Sequence, residues 1–417
     1  MTVNNVAGVG RRALALMSLL AFAHNAAAQS NVGTGPLTSA LAEAEPATGV
    51  LSIGPVKLAP GIVVKEIGWD SNVFQETKTE GPKEDFVASL TPDVAMFSRL
   101  RFVKLSAYAG AELTYFQKYE SERSVGHLLR GRADVLLSRV RPFVGGGQYK
   151  TRTRPNGEVD VRADRKDTEF SGGVAYDLGT HSVVYASAVQ MSNRFENALN
   201  DGVDVGETLS RDSMDYSGGL KTDLTPLTSI TVAGSVREDT FVFEPLRNAD
   251  NRMITATLKF GAEAVVTGAV VVALTDFKAV DPLIEPYRGL TGSVALAYSV
   301  LEVGRLGLIA LRRQEYSFDT KEGYYLENSV NLTYNHRLFG EVDAQVHGGH
   351  GIFEYGFRAG IPAHTDTLNI VDGGVGYNLR NRTRISLNYE YARRRSPALA
   401  ERNYDRTRVF LAWSYAF

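Results

Sequence analysis

The feature that most constrains this chain is a two-residue alternation of apolar and polar side chains, sustained over segments of about 10 to 15 residues. Val103, Leu105, Ala107, Ala109, Ala111, Leu113 and Tyr115 fall on one face, and Lys104, Ser106, Tyr108, Gly110, Glu112 and Thr114 on the other. The same beat sets Val342, Ala344 and Val346 against Asp343, Gln345 and His347, and Ile385, Leu387, Tyr389 and Tyr391 against Arg384, Ser386, Asn388 and Glu390. Successive side chains of a strand point to opposite faces, so this period means β structure. Length then separates the β architectures. Globular strands mostly run five or six residues, whereas a tilted strand crossing a bilayer needs about 9 to 11. A sandwich would have to pack its apolar faces together. A wide barrel gives the apolar face to lipid and the polar face to water.

Eighteen such segments can be counted, from 60–70 and 86–99 through 382–395 and 404–417. Short connections such as Arg139-Val140, Gly179-Thr180, Thr225-Pro226-Leu227 and Arg380-Asn381 alternate with long polar ones around 75–84, 155–165, 198–211, 242–250, 280–287, 356–365 and 396–402. Outer-membrane barrels have short periplasmic turns, longer external loops and an even strand number. The expected fold is therefore an all-β, up-and-down antiparallel transmembrane barrel of about 18 strands, or 16 if one hairpin is miscounted. Hairpins such as 169–188 and 215–234 resemble each other, as duplication or a shared lipid-and-water pattern would produce.

The N-terminus fits export. Arg11 and Arg12 precede the apolar stretch Ala13 to Ala23, too short to span a bilayer, and Ala26-Ala27-Ala28 offers a cleavage site before Gln29. We expect residues 1–28 to be a signal peptide, 29–52 a flexible periplasmic tail and 53–417 the barrel, in a Gram-negative outer membrane. Absence of cysteine excludes disulfides, thiolate metal sites and a lipidated cysteine. With 45 basic and 47 acidic residues, charge gives no pull toward nucleic acid. The longest later apolar stretch, Ala264 to Leu274, is too short for a membrane helix.

The C-terminus is the sharpest local signal. Val409, Leu411, Trp413, Tyr415 and the terminal Phe417 share one face, as in the last strand of outer-membrane barrels, whose terminal aromatic is read by the barrel assembly machinery. The aromatic members suit a girdle at the periplasmic interface. Leu58-Ala59-Pro60-Gly61-Ile62-Val63-Val64 leads into Gly68-Trp69-Asp70-Ser71-Asn72-Val73-Phe74. Together with the SGG/DL hairpins and the final strand, this resembles the β-barrel porin type 2 family over about residues 52 to 417. The resemblance implies an outer-membrane barrel of unestablished transport role, in a family often associated with exopolysaccharide production, and so polysaccharide export components as partners.

Chemistry for catalysis is sparse. His347 and His350 are the only close histidine pair, but residues three apart on a strand face opposite ways, so we expect no metal there and no cofactor. No nucleophile elbow stands out. Gly145-Gly146-Gly147, Gly172-Gly173 and Gly218-Gly219 lie inside strand segments and do not form phosphate cradles. The face opposite the apolar one is charged, and Arg194, Arg237, Lys259, Arg384, Glu390, Arg406 and Arg408 are the candidates for a lumen wall that sets selectivity. Opposite charges there can brace the wall by pairing across strands. Alternatively an arginine-rich external half, helped by Arg393, Arg394 and Arg395, would attract anions. Sixteen to eighteen strands leave an aqueous channel, so the leading expectation is a non-enzymatic porin-like channel for passive passage of polar solutes, with the family resemblance suggesting exported exopolysaccharide. Two other readings stay open: a non-conducting scaffold or adhesion barrel, and a barrel hydrolase of lipid or glycan.

Overall fold

The structure is a computed structural model that describes residues 51–416 apart from 201, 301–302 and 380–382. The expected signal peptide, most of the expected tail and Phe417 lie outside the described residues. β1 (Leu51–Ile53) folds back on β2 (Val56–Asp70). The ring continues through β3 (Asp85–Leu100), β4 (Val103–Phe116), β5 (Ser124–Val135), β6 (Val140–Thr153), β7 (Ala163–Asp177) and β8 (Ser182–Glu196). Inside the next connection lie a tiny hairpin, β9 (Leu199–Asn200) and β10 (Val203–Asp204), and the one-turn helix α1 (Val205–Leu209). Then come β11 (Arg211–Thr225), β12 (Thr228–Phe241), β13 (Ala249–Phe260), β14 (Val266–Ala279), β15 (Tyr287–Val300) and β16 (Gly304–Tyr316). The ring ends with β17 (Tyr324–Phe339), β18 (Val342–Glu354), β19 (Thr365–Leu379), β20 (Thr383–Arg395) and β21 (Tyr404–Ala416).

Each of these strands pairs antiparallel with its neighbours, and β21 pairs with β2, which closes an 18-stranded barrel. The strands run 12 to 16 residues, the length that the alternation requires. Segment ends move by a few residues: the expected 60–70 starts at Val56, and 251–264 stops at Phe260. The glycine pairs sit within β6, β7 and β11, and the Phe170 ring lies over Gly146 at van der Waals distance. Short turns share one end with residues 51 and 416, and the long connections share the other. That polarity makes the short-turn end periplasmic.

The apolar face points outward. Val144, Ile254, Leu274, Val346 and Phe170 are each 60–64% exposed, as a wall solvated by hydrocarbon must be. Toward the periplasmic end stand Tyr176, Tyr298, Tyr334 and Tyr377, and Trp413 stacks on Tyr415 with ring centroids 6.5 Å apart. On β21, Val409 and Leu411 face outward with 41% and 48% exposure, in the same row set as Trp413 and Tyr415. At the closing seam the register shifts between Val64 and Ile67. The bulge turns two consecutive charged residues inward, so that Lys65 reaches Glu112 at 2.6 Å and Glu66 reaches Arg408 at 2.9 Å.

Candidate functional site

Cross-strand register brings the inward polar row into pairs. Glu390 of β20 stands opposite Arg408 of β21, and their side chains meet at 2.5 and 2.9 Å. One row toward the exterior, Arg406 forks onto the buried carboxylate of Asp70 across the seam. Arg384 binds Asp343 at 2.6 Å, Arg394 binds Asp366 at 2.8 Å, and Arg237 binds Asp239 at 2.9 Å. The Tyr316 hydroxyl donates to the same Asp239 at 2.8 Å. The bidentate guanidinium geometry suits buried carboxylates and leaves few uncompensated charges.

Arg237, Arg384, Glu390, Arg406 and Arg408 therefore face the lumen, as does Lys259 by the alternation of β13, and β20 and β21 bring four of them together. Arg194 does not. In β8 it shares the outward face with Val184, and it binds the outward Asp212 at 2.8 Å near the external rim. The inward assignment fails because β8 keeps its alternation to the end and Phe195, the neighbour, takes the buried inner position. Arg393 and Arg395 also leave the lumen and pair with Asp405. The proposed arginine-rich external half is accordingly neutralised. His347 faces inward to Asp372 and Asn331, and His350 faces outward to Asn369 at 2.8 Å.

A feature absent from the sequence reading dominates the external half. The connection 154–162 between β6 and β7 crosses the lumen to the far side of the ring. The Asn156 amide donates to the Tyr316 carbonyl at 3.2 Å. The Glu158 carboxylate accepts from the Ser317 hydroxyl at 2.9 Å and the Phe318 amide at 3.1 Å, and meets Arg402 at 3.3 Å. Arg394 donates to the Gly157 carbonyl at 2.7 Å. At the near end Arg154 donates to the carbonyls of Asp160 (2.7 Å) and Val73 (2.8 Å). Around this crossing, Val159, Val205, Phe241, Phe277, Phe318 and Tyr324 join one buried apolar cluster drawn from external loops and the external ends of β12, β14 and β17. Arg247 pins the cluster by donating to the Thr208 carbonyl at 2.8 Å and to Ser317 and Gly323.

Burial raises the Glu158 carboxyl above the ordinary glutamate range, with Arg402 acting in the opposite sense. Burial also pushes the Arg154 and Arg247 guanidiniums down to about 10, so both stay charged at neutral pH. The alanines at the crossing level, Ala163 and Ala392, are fully buried, while on β15 the inward Ala295 is exposed and the inward Ala297 is buried. The sequence carried one hint, Val159 and Val161 inside an otherwise polar connection.

Two solved structures share this architecture. A BenF-like porin from Pseudomonas fluorescens Pf-5 is 9% identical with a TM-score of 0.50, covering 88% of this chain and 100% of its own. OccK2 (OpdF) of Pseudomonas aeruginosa, in complex with glucuronate, is 11% identical with a TM-score of 0.50, covering 86% of this chain and 98% of its own. At these identities the likeness establishes the fold, a porin barrel. No curated protein matches the chain. The family described as Putative beta-barrel porin 2 matches residues 52–416. With nearly the whole barrel inside that match, the chain belongs to this family of porin-type outer-membrane barrels.

Proposed function

We propose that the protein is a narrow, non-enzymatic channel for small polar solutes, with the 154–162 crossing setting what passes. The observation that carries this is an external half spanned by a polypeptide held at Glu158, Asn156 and Arg154. A porin wall whose charges are paired favours size selection over strong ion selectivity. The relevant solute class is a single small sugar or sugar acid, the size of the glucuronate bound by OccK2. An exported polysaccharide is the weaker reading, since a threaded polymer would have to displace the whole crossing.

Single-channel recording in planar bilayers tests this. Wild type should show small steps with a reversal potential near zero in a salt gradient. Replacing residues 156–161 by a short Gly-Ser linker should raise the step several-fold, because it removes the obstruction from a barrel wide enough for an aqueous channel. The filled mouth also favours a second reading, a non-conducting scaffold. Absence of steps from both the folded wild type and the loop replacement would establish that scaffold and end the channel proposal.

A further inference from the structure

The outward rim of the barrel pairs opposite charges across several strands, and carries one acidic like-charged pair, Glu238 opposite Asp250. Asp250 faces Lys278, Arg252 faces Asp276, Asp276 faces Arg288, and Arg393 faces Asp405. On β6 to β8 the pattern breaks. Lys150 stands directly opposite Lys166, and Lys166 directly opposite Arg194, all three on the lipid-facing side. Like charges directly opposite on one face of a sheet repel and destabilise it. Arg194 is relieved by Asp212. Lys150 and Lys166 are exposed, and among the described residues neither makes a close salt bridge, although Lys150 acts on the Asp164 carboxylate at longer range. The nearest carboxylates, Asp164 and Glu196, lie one row further out, and Asp164 is already engaged by Arg152 at 3.2 Å and Asn197 at 2.7 Å.

The height of this stripe is defined by the strand. Ten residues of β7 separate Lys166 from Tyr176 of the periplasmic aromatic belt. At roughly 3.3 Å per residue and a tilt of about 40°, that is about 25 Å, the thickness of the apolar band of an outer-membrane barrel. The two ammonium groups thus sit at the headgroup level of the external leaflet. One row below them stand Gln148, Thr168 and Ser192 beside Leu129, and beneath that row the wall is apolar, with Phe170 64% and Val144 63% exposed.

We propose that Lys150 and Lys166, with Arg194 beside them, bind the phosphate of a phosphorylated glycolipid in the external leaflet, while its acyl chains lie against Leu129, Val144 and Phe170. The lipid phosphate supplies the close counter-charge that Lys150 and Lys166 lack, and the apolar wall beneath distinguishes a lipid from a free anion. The site is independent of solute passage and lies on the opposite side of the wall.

Native mass spectrometry of the full-length protein, released from detergent with bisphosphorylated lipid A or its dephosphorylated form, tests this. Wild type should retain the phosphorylated form about thirtyfold better, from about 1 kcal/mol for each of the two lysines near a lipid surface. Lys150→Gln combined with Lys166→Gln should abolish the preference, whereas Lys278→Gln, at a paired rim position, should leave it intact. Gel heat-modifiability confirms that each variant is folded, and unchanged conductance keeps this result separate from the channel proposal. Equal retention of the two lipids by wild type, or unaltered preference in the double variant, overturns the proposal. Complete displacement by inorganic phosphate but not by chloride at matched ionic strength would identify a free-anion site instead. A dimer lost in the double variant would identify a second copy as the occupant.

Discussion

At the scale of single residues, the inner wall is held by charges that have almost no water around them. Asp70 is 3% exposed and Arg406 is 8% exposed, and the pair joins the first spanning strand to the last. Removing one member strands the other in a low-dielectric site, which costs far more than the pair contributes. Arg406→Ala should therefore lower stability by about 3–5 kcal/mol, read as a shifted urea midpoint in detergent micelles. Asp70→Asn in the same background should recover part of that loss by removing the stranded charge. A second constraint sits beside it: a Cβ at Gly68 would run into the Val409 carbonyl oxygen and the Phe410 backbone, so the seam admits only glycine there without a local shift. Residue-level legibility was high on the strands that keep their alternation clear of loops. Arg384, Glu390, Arg406 and Arg408 could be placed on the inner face from their spacing, because β20 and β21 set large apolar residues such as Ile385, Leu387, Val409 and Leu411 on the other face without a break. Arg194 could not. The second half of β8 carries Val189, Met191 and Phe195 on its inner face and Gln190 and Ser192 on its outer face, so polarity does not mark the side there.

At the scale of elements, the strands are amphipathic in a way that can be tested by moving one charge. Leu387 lies outward near the middle of β20 and is 55% exposed. Leu387→Arg should cost about 2–4 kcal/mol, the penalty of an arginine at the bilayer midplane. Ala295 on β15 faces the open lumen, so Ala295→Arg should cost less than about 1 kcal/mol. Both are measured by equilibrium unfolding into lipid vesicles, and equal costs would mean that the outer face is not in hydrocarbon. The connections behave differently from the strands. Residues 154–162 carry too little apolar content to announce a buried segment, and their partners lie 159 to 244 positions away in the chain, at Ser317, Phe318, Arg394 and Arg402. Contacts of that separation leave no periodic trace. Glu158 is fully buried, yet in sequence it is one more acidic residue in a polar loop.

At the scale of the whole molecule, the outer wall presents dozens of exposed large apolar side chains, and a soluble protein rarely exposes contiguous patches beyond a few hundred Å². The folded chain should stay monodisperse only in detergent or lipid. Sedimentation after detergent removal should carry it into aggregates, and a soluble monomer would refute the membrane placement. The external half of the barrel is filled by loops and strand ends that meet around one apolar cluster. Strand number, the lipid-facing rows and the polarity of short and long connections were all determined by the sequence on its own, since alternation and turn spacing are local properties that every strand must satisfy separately. The occlusion of the lumen, the pairing of nearly all its arginines and the like-charged stripe on the outer rim were decided only by the tertiary structure. They depend on which strands close into neighbours and which loop crosses to the far wall, and chain closure brings together groups whose separation in sequence carries no information about their distance in space.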